Sequence, residues 1–334
     1  MQNIINGLPI AAVILLLAVG FAFLVKGADF FVEGSSSIAK KLKVPPIIIG
    51  LTIVAMGTSL PETAVSVTAS LVQNNELAVS NVVGSNIFNL MFVIGVCSIL
   101  TPIMVQKATV VRDIPLSLGC ALFLLVLGVS GLGDKAGMTL GHADGVIFLI
   151  VFAGYIFTMV RSAMKARAAG QKVEIEGVEE CDNMKELSYG KSILFLIVGA
   201  AAIAFGGDLT VDTASRIAIE LGMSQTLVGL TIVSIGTSLP ELVTSVVAAR
   251  KNEVDMALGN VIGSNIFNIL LILGVAAAIS PVTFIMENII DIIILIIMST
   301  VVWIFAWTSK KINRKEGIIM LLVYVVYMVY ICIR

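Results

Sequence analysis

Residues 50–102 of this chain recur, in modified form, at residues 229–281. At a constant offset of 179 positions, 26 of the 53 aligned residues are identical. Both copies contain the hexapeptides GTSLPE and GSNIFN in the same order. A repeat at one fixed offset indicates that a structural unit occurs twice. Any fold for this chain must therefore provide two equivalent places for the same pair of motifs.

The duplicated motifs lie within long apolar stretches. Of the 334 residues, 58% are hydrophobic and 13% are charged, whereas about a quarter of the residues in soluble domains are charged. A membrane-spanning helix needs roughly 20 mostly apolar residues. The sequence therefore predicts an all-α integral membrane protein with ten transmembrane helices. Their segments are 8–25, 45–72, 77–100, 114–131, 145–163, 191–207, 224–248, 256–279, 288–308 and 317–333.

The positions of lysine and arginine predict the orientation of these helices. With the N-terminus outside, 17 of the 21 basic residues fall in inner loops and three in outer loops, in agreement with the positive-inside rule. The offset of 179 residues spans five helices. Because five is an odd number, the two copies enter the membrane from opposite sides. We expect two inverted five-helix repeats, at residues 1–163 and 191–334, with a cytoplasmic linker at 164–190 and both termini outside.

The motif GTSLPE predicts an interrupted helix. Pro61 has no N–H group, and its ring clashes with the carbonyl of Gly57, so the carbonyls around Ala55–Thr58 are expected to leave the helical hydrogen-bond pattern. Non-helical backbone at membrane depth occurs where it lines a cavity or a site. One helical face then carries Thr58, Ser59 and Glu62 in the first copy, and Thr237, Ser238 and Glu241 in the second.

A carboxylate in the middle of a membrane-spanning helix is costly unless it is compensated, and so indicates a functional site. The second motif adds a hydroxyl and an amide on the next helix, Ser85 with Asn89 and Ser264 with Asn268. The combined set offers carboxylate, hydroxyl, amide and carbonyl oxygens, without nitrogen or sulfur ligands. Hard cations such as Ca²⁺ and Na⁺ prefer such oxygens. The two glutamates therefore predict a central cation site.

The paired motifs resemble the α-repeats of the sodium/calcium exchanger (cation/calcium antiporter) superfamily, in particular its short prokaryotic members. The resemblance covers both repeats and the ten-helix layout. It implies a secondary antiporter that exchanges Na⁺ for Ca²⁺ by alternating access, with Glu62 and Glu241 as central ligands. It also implies further oxygen ligands: the main-chain carbonyls of Ala55 and Ser234, and the side chains of Thr58, Ser59, Ser85, Asn89, Thr237, Ser238, Ser264 and Asn268.

Two features of the motifs bear on the coupling ion. Many relatives, including the K⁺-dependent branch, have Asp where this chain has Asn268, so K⁺-independent exchange is expected. The proton-coupled calcium exchangers typically show Gly-Asn-x-x-Glu in place of GSNIFN, which favours Na⁺ as the driving ion. The family resemblance implies three bound Na⁺ ions, which two carboxylates would leave with a net positive charge, so exchange is expected to be electrogenic. A Ca²⁺/H⁺ antiporter and a K⁺-dependent Na⁺/Ca²⁺ antiporter are the alternatives.

Two more distant functions fit the sequence less well. One is a cation channel with the two glutamates as its filter, but channel filters usually form as rings from several subunits. An intramembrane aspartyl protease would need Asp29 and Asp208 deep in the membrane, but both lie at the ends of their apolar stretches. We expect a multi-pass protein of the plasma (inner) membrane, without a cofactor besides the transported ions, without a nucleic-acid partner and without an obligate protein partner.

Overall fold

The computed structural model describes residues 5, 7–71, 75–130, 138–168, 187–223, 232 and 234–333. Within this part the chain is almost entirely helical. The helices are α1 (Ile10–Leu42), α2 (Pro46–Thr58), α3 (Leu60–Leu71), α4 (Leu77–Leu100), α5 (Thr109–Val129), α6 (His142–Ala168), α7 (Tyr189–Glu220), α8 (Ser234–Thr237), α9 (Leu239–Arg250), α10 (Val254–Ile279), α11 (Met286–Ser309) and α12 (Arg314–Ile333). Four short strands form two antiparallel pairs: β1 (Ile103–Met104) with β4 (Lys311–Ile312), and β2 (Thr139–Leu140) with β3 (Val282–Thr283).

Eight of the described helices are long and apolar enough to cross a membrane on their own. The pair α2 and α3 forms a ninth span, which is bent by 51°. This bend confirms the helix interruption predicted in the first repeat. The predicted span 224–248 lies partly outside the described residues, and its described part contains α8 and α9. The total of ten therefore stays a prediction.

Helices α1 and α7 have 33 and 32 residues, whereas the sequence predicted spans of only 8–25 and 191–207. Each helix continues beyond the apolar segment in which its span was expected to be centred, because the apolar pattern weakens near Lys26 and Asp208 while the helix does not end. In α1 the continuation is polar but packs against protein, since Ser35 and Ser36 are at most 1% exposed. At 1.5 Å per residue each helix is about 50 Å long, more than the hydrocarbon core of roughly 30 Å.

Part of the predicted linker 164–190 is helical. α6 continues to Ala168, and α7 begins at Tyr189. The backbone N–H of Leu187 donates to Ser37 Oγ at 3.1 Å, which fixes the entry to α7 against α1. The remainder of the linker, residues 169–186, lies outside the described residues.

α1 and α7 pack against each other through glycines spaced seven residues apart. A Cβ added to Gly27 would lie 3.0 Å from the carbonyl oxygen of Gly199, and one added to Gly206 would lie 2.8 Å from that of Gly20. Only glycine permits such close approach of two helix backbones. The offset of 179 relates Gly20 to Gly199 and Gly27 to Gly206, so the same contact occurs twice.

Helices α4 and α10, which carry the GSNIFN motifs, run antiparallel to each other through the centre of the fold. Gln106, beyond the C-terminal end of α4, donates to Asp255 at the start of α10 with a distance of 2.6 Å. Conversely, Asn288, beyond the C-terminal end of α10, donates to Ser80 near the start of α4 with a distance of 3.0 Å. Each helix therefore begins where its counterpart ends, and the two motifs meet in the middle.

Candidate cation-binding site

The candidate site lies at two breaks in the helices, one in each repeat. Ser59 separates α2 from α3 and has φ −83° and ψ 13°, and Ser238 separates α8 from α9 with φ −93° and ψ 5°. Pro61 and Pro240 follow in the first turn of the new helix, where a missing N–H leaves no hydrogen bond unmade. Each repeat thus presents a helix N-terminus at the depth of its glutamate.

Glu62 and Glu241 lie in the first turns of α3 and α9, where the helix dipole favours negative charge. Both are 0% exposed. Each carboxylate is held by the opposite repeat, because Ser59 Oγ donates to Glu241 Oε1 at 2.8 Å and Ser238 Oγ donates to Glu62 Oε1 at 3.0 Å. Hydrogen bonds to a charged acceptor are stronger than neutral ones. These two reciprocal hydrogen bonds therefore hold both carboxylates in one cluster.

Ser85 and Ser264 lie beside these carboxylates. Ser264 Oγ donates to Glu241 Oε1 at 3.3 Å, whereas Ser85 Oγ lies 2.9 Å from Ser238 Oγ. Both serines are buried. The structure thus brings both predicted serines of the second motif into the cluster, with slightly different partners in the two repeats.

Thr58 and Thr237 also contact the opposite repeat. Thr58 Oγ1 donates to Asn260 Oδ1 at 3.0 Å, and Thr237 Oγ1 donates to Asn81 Oδ1 at 3.4 Å. A hydroxyl has one hydrogen and two lone pairs. The Thr58 hydroxyl also has the carbonyls of Val54 and Ala55 within reach, at 3.2 and 3.3 Å. A hydroxyl that donates its hydrogen can still accept, so a threonine oxygen is a suitable cation ligand.

Asn89 and Asn268 are each 0% exposed. Asn89 Nδ2 donates to Asn265 Oδ1 at 3.2 Å, and Asn268 Nδ2 donates to Asn86 Oδ1 at 3.0 Å. The nitrogen side of each amide is thus engaged between the repeats. The oxygen side of each amide is directed away from this contact.

Four buried oxygens in this cluster have no hydrogen-bond partner among the residues that the structure describes: Oε2 of Glu62, Oε2 of Glu241, Oδ1 of Asn89 and Oδ1 of Asn268. Buried acceptors are nearly always satisfied in folded proteins. Here two carboxylate and two amide oxygens, at equivalent positions of the two repeats, keep lone pairs that the described residues leave unused. No group of three or more His, Cys, Asp or Glu side chains suited to a metal occurs in the described part of the chain. The arrangement fits a cation bound by two carboxylates and neutral oxygens.

The predicted main-chain ligands are the carbonyls of Ala55 and Ser234. The first differs from expectation, and the second cannot be compared. The carbonyl of Ala55 accepts from the N–H of Ser59 at 3.0 Å and from Thr58 Oγ1 at 3.3 Å. The expectation that this carbonyl leaves the helical pattern is therefore wrong, because the helix breaks later, at Ser59. For Ser234, the backbone begins α8, and its side chain lies outside the described part.

Sequence reasoning missed a set of polar residues that supports the site. Asn81 Nδ2 donates to Ser66 Oγ at 3.0 Å, and Asn260 Nδ2 donates to Ser245 Oγ at 2.9 Å. These bonds orient the amides that receive the threonine hydroxyls. All of these residues are identical in the two copies, and that identity outside the two hexapeptides was the available signal.

Comparison with known proteins places the chain among membrane transporters. A sequence model described as sodium/calcium exchanger protein matches residues 12–161 and 191–333. The chain is 38% identical over 323 residues to the putative antiporter CaxA of Alkalimonas amylolytica, covering 92% of this chain and 95% of that protein. It is 35% identical over 339 residues to the sodium/calcium exchanger MaX1 of Methanosarcina acetivorans, covering 94% and 97%. A solved structure of the sodium-calcium exchanger NCX_Mj, soaked with 2.5 mM Na⁺ and 0.1 mM Ca²⁺, matches with a TM-score of 0.79 and 33% identity over 95% of this chain and 98% of that chain.

Proposed function

The chain belongs to the sodium/calcium exchanger family, and from this premise we propose that it exchanges Na⁺ for Ca²⁺ by alternating access at the site around Glu62 and Glu241. The family consists of multi-pass membrane transporters rather than enzymes. The protein is therefore a membrane antiporter of the cation/calcium class, and the aspartyl protease alternative is excluded. The ion pair, the ligands and the coupling are the parts that we propose.

The four buried oxygens for which the described residues supply no hydrogen-bond partner carry the proposal. Ca²⁺ takes six to eight oxygen ligands, including carboxylates and amide oxygens. Glu62, Glu241, Asn89 and Asn268 supply four such oxygens, and each repeat contributes two. The remaining ligands are then hydroxyls of the cluster or water. With both glutamates ionised, one Ca²⁺ neutralises the site.

The same arrangement accommodates Na⁺ at two flanking positions. The hydroxyl clusters are Thr58, Ser59 and Ser85 on one side, and Thr237, Ser238 and Ser264 on the other. The family resemblance adds the carbonyls of Ala55 and Ser234 to this set, and the Ala55 carbonyl would bind an ion in place of its contact with Thr58 Oγ1. Three Na⁺ ions in place of one Ca²⁺ would exceed the charge of the two carboxylates. Exchange would then be electrogenic, with about 2.3 kcal/mol per unit charge for each 100 mV of membrane potential.

Asn268 supports K⁺-independent exchange. An amide oxygen can coordinate a cation but adds no negative charge. A further K⁺ would therefore bind without a carboxylate to neutralise it. The Ca²⁺/H⁺ and K⁺-dependent alternatives make different predictions for the same transport assay.

The strand pairs support ten transmembrane helices. β1 pairs with β4, so their loops lie on the same side of the membrane and an even number of crossings must separate them. Between them lie five helices that can each cross alone, α5, α6, α7, α10 and α11. The segment between α7 and α10 must then cross once more. The antiparallel α4 and α10 likewise support two inverted repeats, at 1–163 and 191–334, joined by the linker 164–190.

Cysteine labelling tests this topology, including the proposed outer position of both termini. In a background with Cys181 and Cys332 replaced by Ser, cysteines at Met104 and Lys311 should react only from inside. Cysteines at Thr283 and Glu287 should react from outside. Cys97 and Cys120 are buried and serve as the unlabelled baseline. One label on the wrong side would overturn the inverted arrangement.

Calcium uptake into proteoliposomes tests the function. Outward Na⁺ gradients should drive Ca²⁺ uptake without K⁺ and without a pH gradient, and an inside-negative potential, which opposes the net exit of positive charge with Na⁺, should slow it. A requirement for K⁺ would favour the K⁺-dependent antiporter, and uptake driven by protons alone would favour Ca²⁺/H⁺ exchange. Ca²⁺ entry that needs no counter-ion would indicate a channel. Coupled exchange unaffected by voltage would leave the antiporter but exclude three Na⁺ per Ca²⁺.

A further inference from the structure

Asn86 and Asn265 form a reciprocal contact between the repeats. Asn86 Nδ2 donates to the main-chain carbonyl of Asn265, and Asn265 Nδ2 donates to the main-chain carbonyl of Asn86, both at 3.2 Å. The two side chains are at most 1% exposed. A main-chain carbonyl can only accept, so each amide must turn its nitrogen toward the other helix.

This orientation determines the neighbouring amides. With its nitrogen committed, Asn86 offers Oδ1 to Asn268, whose Nδ2 lies 3.0 Å away. Asn265 likewise offers Oδ1 to Asn89 Nδ2 at 3.2 Å. If Asn268 or Asn89 turned over, two acceptor oxygens would face each other. The network therefore has one self-consistent arrangement, in which Asn268 and Asn89 direct their own oxygens away from Asn86 and Asn265.

An amide beside a cation is useful only in one of its two orientations. Its oxygen is a ligand, whereas its NH₂ group repels a cation and can only donate. Asn89 Oδ1 and Asn268 Oδ1 are two of the four oxygens without partners among the described residues. Both are thus oriented by an asparagine of the opposite repeat.

We propose that Asn86 and Asn265 are positioning residues that hold the amides of Asn268 and Asn89 with their oxygens toward the transported cation. This inference rests on the proposed function and adds a role to residues that do not themselves touch the ion. Each acts across the repeat interface: Asn86 of α4 acts through Asn268 of α10, and Asn265 of α10 acts through Asn89 of α4. Ligand orientation in one repeat then depends on the other.

The simpler role for the same residues is interhelical attachment, and a rescue experiment separates the two. Asn86→Ala should raise the KM for Ca²⁺ uptake in proteoliposomes by roughly tenfold, the effect of about one hydrogen bond, with smaller change in kcat. In the Asn268→Asp background both terminal atoms of residue 268 are oxygens, so orientation no longer matters. There Asn86→Ala should change the KM by less than about twofold, or lower it, since Asn86 Oδ1 would face a carboxylate.

Attachment alone predicts the opposite pattern. It predicts the same loss from Asn86→Ala in both backgrounds, and that result would overturn the proposal. The counterpart cycle, Asn265→Ala with Asn89→Asp, should show the same rescue, whereas the crossed pair Asn86→Ala with Asn89→Asp should show none. Rescue in the crossed pair would also contradict the assigned partners.

Two controls complete the experiment. Asn288→Ala removes another buried interhelical amide, which contacts Ser80 outside the site, and should leave the KM unchanged. If Asn86→Ala does not fold, Asn86→Ser is measured in the same two backgrounds, and equal losses again overturn the proposal. If the proposed function is wrong, the unsubstituted protein shows no Na⁺-driven uptake. If only this inference is wrong, the unsubstituted protein exchanges normally and only the comparisons of single and double variants fail.

Discussion

The two repeats agree closely at the centre and differ at the edge. Ser59 on Glu241 matches Ser238 on Glu62, and the asparagine contacts of α4 and α10 occur in both directions. At the edge, by contrast, Lys251 Nζ lies 3.3 Å from Asp29 Oδ1 and donates to the main-chain carbonyl of Asp29 at 3.0 Å. The positions that correspond to this pair at the offset of 179 are Val72 and Asp208, which cannot form an ion pair.

This difference separates two requirements on an alternating-access carrier. In an inverted-repeat transporter, the two access states arise when the repeats exchange conformations around a fixed site. The ligands must serve both states, and sequence identity at the centre meets that need. If the edges were also identical, the two states would have equal free energy. We therefore expect the unequal edges to favour one access state without altering the site.

The largest expected effect tests the symmetry of the centre. Glu62→Gln and Glu241→Gln each remove one of the two buried carboxylates that would face Ca²⁺ in the proposed site. Removing one member of a buried charge pair costs about 3–5 kcal/mol, so each variant should lose Ca²⁺ exchange by roughly a hundredfold or more. Glu287→Gln, at an exposed first-turn position of α11, is the matched control and should exchange normally.

Radioactive Ca²⁺ uptake and the thermal stability of the purified protein are the two measurements. The two variants should be similar in both. Near-normal exchange by either variant would remove that glutamate from the site, and a strong loss in only one would show that the centre is not functionally symmetric.

The outline of this centre was accessible from sequence because its parts are short-range. A proline fixes a helix break within one turn, and spacings of three and four residues place Ser59 and Glu62 on one face. The partners of these groups were not accessible, because Ser59 contacts a carboxylate 182 residues away. The full lengths of α1 and α7 do not follow from their apolar segments for a related reason: whether Ser35 faces lipid or protein depends on the packing of another helix. The late position of the break, which keeps the Ala55 carbonyl in the helix, is a matter of backbone detail that the motif does not encode.

An intermediate effect tests the symmetry of the α1–α7 contact. Gly27→Ala and Gly206→Ala occupy corresponding positions, and each new methyl group would meet the main chain of the opposite helix. Overpacking of this kind costs about 1–3 kcal/mol, so both variants should lower the unfolding temperature in detergent by similar amounts. Gly154→Ala, where an added Cβ meets no atom within 4 Å, should leave it unchanged.

Unequal destabilisation by the two alanines would show that the interface is not symmetric in energy, although it is symmetric in geometry. An unchanged unfolding temperature in both variants would mean that the α1–α7 contact contributes little to the stability of the protein. In that case the close approach of the glycines would not hold these helices together.

The smallest expected effect tests the unequal edge. Lys251 and Asp29 are 27% and 33% exposed, and such partly exposed ion pairs contribute up to about 1 kcal/mol. Lys251→Ala should therefore shift the balance of access states by no more than about fivefold. The apparent affinity for Ca²⁺, measured in sided vesicles, should rise on one side of the membrane and fall on the other.

Lys26→Ala is the matched control: Lys26 lies 3.7 Å from the same carboxylate, but its side chain is 74% exposed, so its removal should change neither affinity. Asp29→Asn removes the carboxylate but keeps the main-chain carbonyl that Lys251 contacts, so it should reproduce only part of the shift and add nothing to Lys251→Ala. Equal shifts from Lys26→Ala and Lys251→Ala would assign the effect to general surface charge, and the advantage of one access state would then have to originate elsewhere in the chain.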